Sequence, residues 1–128
     1  MKIWFSKAQA VACLLLAATL WGGPGLAHAD TLTTRSFSIQ IQVNCAEGDV
    51  VCDDVTYRGK NRRTGQSLVL KGKTMHSLCA DGVTPCRFLG YEFKNGAYRY
   101  VVYENGGLRV TQGQKVLVEE TGEWRYGG

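Results

Sequence analysis

The stretch Ser36-Phe37-Ser38-Ile39-Gln40-Ile41-Gln42-Val43-Asn44-Cys45 decides the fold class. Phe37, Ile39, Ile41 and Val43 alternate with Ser38, Gln40, Gln42 and Asn44. A period of two puts the apolar side chains on one face, the mark of a half-buried strand. The strand runs into a cysteine octet, Cys45-Ala46-Glu47-Gly48-Asp49-Val50-Val51-Cys52. A second octet, Cys79-Ala80-Asp81-Gly82-Val83-Thr84-Pro85-Cys86, follows at an offset of 34 residues. Val55 and Leu89, Tyr57 and Tyr91, Lys60 and Lys94, and Asn61 and Asn95 keep the same offset. The octets therefore open two copies of a short repeat. A solenoid needs about three or more.

Outward from the first octet the chain reads as further short strands. These are Val51–Lys60, Ser67–Leu78, Arg87–Lys94, Tyr98–Glu104, Leu108–Gln112 and Lys115–Thr121. Gly72 interrupts the third strand and marks a bulge or a close backbone approach. Asn95-Gly96 predicts a tight hairpin with positive φ at both residues. Asp30–Arg35 reads as a loose lead-in, and Trp124 and Tyr126 fall in a short tail. Seven strands joined by hairpin-length connections make an all-β antiparallel meander. Closure into a small barrel removes exposed edges, and a sandwich is the alternative.

The N-terminus is of another kind. Lys2 and Lys7 precede the apolar run Ala10–Leu20, and Ala27-His28-Ala29 is a small-x-small cleavage site. This is the pattern of a secretory signal peptide over residues 1–29, cut between Ala29 and Asp30. The apolar run is shorter than the about 20 residues a membrane span requires. One domain, 30–128, remains. The full chain carries a net charge of +4, and losing Lys2 and Lys7 lowers it to +2. So small an excess does not imply nucleic acid.

Cys45, Cys52, Cys79 and Cys86 remain after cleavage, and an even count in an exported domain reads as disulfides. Three connectivities are open, and the repeat favours Cys45–Cys52 with Cys79–Cys86. Six-residue spacers are too long for zinc pairs, which take two to four.

No catalytic constellation is visible, and no metal site or cofactor is expected. His76 is the only histidine beyond the leader. It alternates with leucines and lacks a nucleophile or an orienting carboxylate in any motif. Asp53-Asp54 reads as a solvated acidic pair. The basic turn Arg58, Lys60, Arg62 and Arg63, with Lys71 and Lys73 on the next strand, suits an anionic partner. Asp81, Thr84 and Arg87 around the second octet make a second candidate contact, because recognition residues concentrate on loops held by a rigid frame. The exported, cysteine-bridged, β-rich plan is similar in kind to small periplasmic inhibitors of lysozyme. That likeness is one of architecture and implies no site residues. The serine-glycine-rich loop before a tyrosine that marks the inhibitors of c-type lysozymes is not present.

The functional expectation is a binding or inhibitor-type protein of the cell envelope, periplasmic or secreted, whose partner is another protein. A thiol–disulfide or other small envelope enzyme is one alternative, and a purely structural envelope protein is another.

Overall fold

The computed structural model describes residues 29–127. The expected leader, Ala29 apart, lies outside the described residues. Nine antiparallel strands form a single sheet that curls into a nearly closed barrel, and no helix occurs among the described residues. The strands are β1 (Asp30–Thr33), β2 (Phe37–Val43), β3 (Val55–Asn61), β4 (Ser67–Leu78), β5 (Pro85–Asn95), β6 (Tyr98–Tyr103), β7 (Gly107–Gln112), β8 (Lys115–Thr121) and β9 (Glu123–Arg125). Each strand from β1 to β7 pairs with the next. The meander is as expected, but the strand count is nine. Asp30–Thr33 and Glu123–Arg125 are strands because they pair with each other, Thr31 opposite Arg125 and Thr33 opposite Glu123.

That last pairing closes the barrel. The chain leaves β8, which pairs with β7, passes through Gly122, and enters β9, which pairs with β1. The Gly122 amide donates to the Gly106 carbonyl at 2.8 Å. A Cβ at Gly122 would overlap the Thr33 carbonyl oxygen, and one at Gly106 would overlap the Gly122 carbonyl oxygen. Gly106 also has a φ of 98°, a conformation open to glycine at little cost. The Glu120 carboxylate accepts from the Ser36 amide at 3.0 Å. Trp124 Nε1 donates to the Tyr103 carbonyl at 3.2 Å. Side chains and backbone thus fasten the last strand to both neighbours.

The core follows the alternation read from sequence. Leu32, Ile39, Ile41, Val55, Tyr57, Leu70, Phe93, Val102, Leu108 and Val110 point inward and are buried. Gly59 and Gly72 make room for large neighbours. A Cβ on Gly59 would meet the Tyr57 ring at 2.6 Å, and one on Gly72 would overlap the Phe93 ring. The alternation slips in three places. Register shifts fall between Met75 and His76, between His76 and Leu78, and between Val110 and Thr111.

Both disulfides are local, Cys45–Cys52 with Cα atoms 5.7 Å apart and Cys79–Cys86 with 5.0 Å. They sit in the β2–β3 and β4–β5 connections, at the same end of the barrel. The sequence repeat is therefore an octet followed by a strand, used once for β3 and once for β5. At the opposite end the β5–β6 hairpin differs from expectation. Asn95 pairs with Tyr98, so Gly96 and Ala97 make the turn. Only Gly96 has positive φ, 61°, which is the type II′ pattern with glycine first. Replacing Gly122 by valine should destabilise the barrel by about 1–3 kcal/mol or more, because the seam has no space for a branched side chain. An unchanged urea midpoint for Gly122→Val would contradict the closed seam.

Candidate functional site

Because β1 to β8 alternate in direction, every second connection reaches the same end. The β1–β2, β3–β4, β5–β6 and β7–β8 turns meet at one end, and the two octets and the β6–β7 turn at the other. At the first end the barrel is not filled. A cup of about 590 Å³ opens there. Tyr57 and Tyr100 line its inner part, with ring centroids 5.5 Å apart. Phe37, Leu68, Tyr98, Val110, Leu117 and Val118 also line it. The bulge in β8 explains how Leu117 and Val118 both reach the cup. Val110 pairs with Val118 while Thr111 pairs with Val116, which leaves Leu117 as the extra residue.

The polar groups at the cup are Asn61, Gln66, Ser67 and Asn95, and no ionisable side chain other than tyrosine lines it. Burial, with a smaller contribution from Tyr100, pushes the Tyr57 hydroxyl well above its usual range. It remains protonated and able to donate. Eight-stranded and similar small barrels hold either side chains alone or one small ligand. This one leaves room for a ligand at its mouth.

Charge separates between the ends. The four turns around the cup, with two strand residues on each side, carry Arg35, Lys60, Arg62, Arg63, Lys94, Arg99 and Lys115 and no carboxylate. The three connections at the disulfide end, counted in the same way, carry Glu47, Asp49, Asp53, Asp54, Asp81 and Glu104 and no basic residue.

The residues singled out from sequence divide between these ends. Arg58 and Lys60 are exposed on β3, and Arg62 and Arg63 are exposed on the turn beside the cup. Arg62 is also structural, since Nη1 donates to the Thr34 carbonyl at 2.8 Å. Lys71 does not extend that basic patch. It lies further along β4, where Nζ is 3.2 Å from Asp54 Oδ1 and 2.9 Å from Thr56 Oγ1. Hydrogen bonds from Asn44 and then Lys71 hold the Asp54 carboxyl below its usual range. Asp81, Thr84 and Arg87 lie at the opposite end from the basic turn. Asp81 accepts from the Val83 and Thr84 amides, both at 2.9 Å, and from the Thr84 hydroxyl. Those bonds shape the octet. The Arg87 amide donates to Ser77 Oγ at 3.1 Å. His76 packs edge-on against Phe88, with ring centroids 5.6 Å apart.

Glu92, Glu119 and Glu120 do not converge on a cleft as a hydrolase pair would. Glu92 pairs with Arg99, Glu119 with Arg109, and Glu120 holds the seam. Among the described residues no group of three His, Cys, Asp or Glu is placed to hold a metal. None of the described segments is a helix long and apolar enough to cross a membrane. The sequence reading missed the cup itself. Its only signal was the pair Tyr98 and Tyr100 on one face of β6.

Compared with known proteins, the chain matches no family model, no curated protein and no solved structure.

The Asp81–Thr84 contact gives a pH test. Hydrogen bonds from Thr84, side chain first, hold the Asp81 carboxyl at about 2, below its ordinary 3.8. A carboxyl whose folded pKa is depressed contributes stability above its unfolded value and loses it as pH falls through the folded one. Thr84→Val should therefore be less stable than the parent at pH 7. The gap should hold constant down to about pH 5 and shrink between about pH 4 and 2. Thermal melts across this range measure it. A gap that persists unchanged at pH 2 would show that the carboxylate is not its source.

Proposed function

We propose that the chain is an exported binding protein of the cell envelope and that the open mouth of its barrel is the ligand site. The observation that carries this reading is the unfilled, aromatic-lined cup of about 590 Å³, within the about 300–1,000 Å³ of small-ligand sites. Its lining favours an apolar body, with Asn61, Gln66 and Asn95 able to meet a polar group near the rim. The basic residues around it favour a negative head. A single-chain amphiphile with an anionic head group answers both. A concave site of this size suits a small ligand better than the broad protein contact expected from sequence.

Two local disulfides accord with an oxidising compartment, and so with export. The enzyme alternatives gain no support. Neither octet has the C-x-x-C spacing at a helix N-terminus where reactive pairs are found, and no helix occurs among the described residues. His76 meets Phe88 edge-on and belongs to no nucleophile–base–carboxylate set among the described contacts.

Displacement of the uncharged fluorophore N-phenyl-1-naphthylamine tests the reading. The probe should bind saturably and be displaced by dodecanoate below its micellar range. Leu117→Trp, a change at the exposed mouth, should block both. Lys60→Glu/Arg63→Glu, which spares the structural Arg62, should leave the neutral probe bound and weaken dodecanoate by about two- to tenfold at low salt. Probe binding that survives Leu117→Trp unchanged, or no binding at all, would contradict the cup as the ligand site. Equal dodecanoate affinity after charge reversal would remove the anionic head group from the proposal.

A further inference from the structure

The disulfide end carries a second, smaller concavity of about 30 Å³, lined by Asp30, Phe88, Tyr91, Glu104, Trp124 and Tyr126. Four of the six are aromatic and the other two are carboxylates. The rings are organised in two pairs. Phe88 and Tyr91 meet edge to face with centroids 5.2 Å apart. Trp124 and Tyr126 lie stacked at 6.1 Å with planes 15° apart.

Three features of the fold assemble these residues. The β5 bulge comes first. Met75 pairs with Gly90 but His76 pairs with Phe88, so Leu89 is the extra residue and Phe88 and Tyr91 share a side. Gly90 holds a φ of 148° there. The closing strand comes second, because pairing β9 with β1 sets Trp124 opposite Leu32, close to Asp30. The Trp124 indole N–H is taken by the Tyr103 carbonyl, which fixes the ring. The third is the Gly127 amide, which donates to Asp30 Oδ1 at 3.2 Å and ties the tail beside that carboxylate.

We propose that this concavity is a binding site for an organic ammonium head group. Aromatic faces attract a cation through the ring quadrupole, and a cage of several rings is a known way to hold a quaternary ammonium. Asp30 and Glu104 supply the formal negative charge. Glu47, Asp49, Asp53 and Asp81 of the surrounding connections set the potential in the same direction. The Tyr91 hydroxyl reports this environment. Burial pushes it up to about 12, and Asp30, Tyr126 and Glu104 add to the rise. The concavity has about the volume of one water molecule, so it seats one N-methyl group of the head, and the rest of the ammonium lies across the open mouth beside the exposed Tyr126, 69% accessible. The site is separate from the cup, takes the opposite charge, and stands whether or not the cup binds an amphiphile.

Trp124 is the only tryptophan beyond residue 29, so in the cleaved chain tryptophan fluorescence reads this site directly. The purified protein is titrated with tetramethylammonium, with choline, and with 3,3-dimethylbutan-1-ol, the uncharged counterpart of choline. None of these titrates, so the series can be repeated at pH about 9, where an α-amino group at Asp30 of a cleaved chain is largely neutral. The expected result is a saturable change with the two cations and binding at least about tenfold weaker for the alcohol. Glu104→Gln and Tyr126→Ala are exposed changes that should each weaken choline by about two- to fivefold. Circular dichroism confirms that both variants fold. Equal binding of the alcohol, affinity unchanged in both variants, or no saturable response to either cation would overturn the proposal.

Discussion

The barrel depends on one close passage, that of Gly122 between Gly106 on one side and Thr33 on the other. The sheet of β1 to β7 would by itself have two edges, β7 and β1, each with unpaired backbone groups. The last segment satisfies both by pairing with β7 along Lys115–Thr121 and with β1 along Glu123–Arg125. The crossover requires two backbones to approach where a Cβ would stand, so glycine occupies both Gly106 and Gly122. Glu120, reaching the Ser36 amide, and Trp124, reaching the Tyr103 carbonyl, fasten the seam beyond the backbone ladder.

Closure gives the molecule two ends, and the ends differ in chemistry. At one, the interior stops short of the rim, and the cup is left beneath turns whose own charged residues are basic, met by Glu120 at the Ser36 amide and Glu92 at Arg99. At the other, two octets are cross-linked and the charged residues of the connections are acidic, with Lys71 meeting Asp54 alone. The net charge of +2 over residues 30–128 conceals this division. A seven-residue strand is about 23 Å long, beyond the about 8 Å Debye length at physiological salt. Each end therefore presents its own field to a ligand. Like charges within an end reinforce each other, while the ends largely do not cancel.

Much of the scaffold is legible in the residues. Phe37–Val43 alternates cleanly because Ile39 and Ile41 face the core while Gln40 between them faces out. The octets announce their own cross-links because the second copy repeats the spacing of the first. What escapes the sequence depends on pairing. Asp30–Thr33 contains one apolar residue, Leu32, and Glu123–Arg125 contains only Trp124, so neither shows a period. Their strand character comes from tertiary context, as β propensity often does. The bulges escape for a related reason. Simple alternation puts Leu89, Tyr91 and Phe93 together and sends Phe88 to the other face. The register shift at Gly90 instead places Phe88 beside Tyr91 and Trp124. The cup is invisible because Phe37, Leu68, Tyr98 and Leu117 come from four hairpins. Alternation says that such side chains point inward, and it does not say whether they fill the space between them.

The central claim is that the two ends of the barrel are distinct and that the basic, open end is the one that receives an amphiphilic anion. Amide and aromatic chemical-shift mapping by NMR, with dodecanoate added below its micellar range, tests it most directly. The predicted result is a contiguous set of shifts at Phe37, Tyr57, Leu68, Tyr98, Tyr100, Leu117 and Val118, with the octet amides unmoved. Shifts centred on Cys45–Cys52 and Cys79–Cys86, or scattered evenly over both ends, would contradict the account.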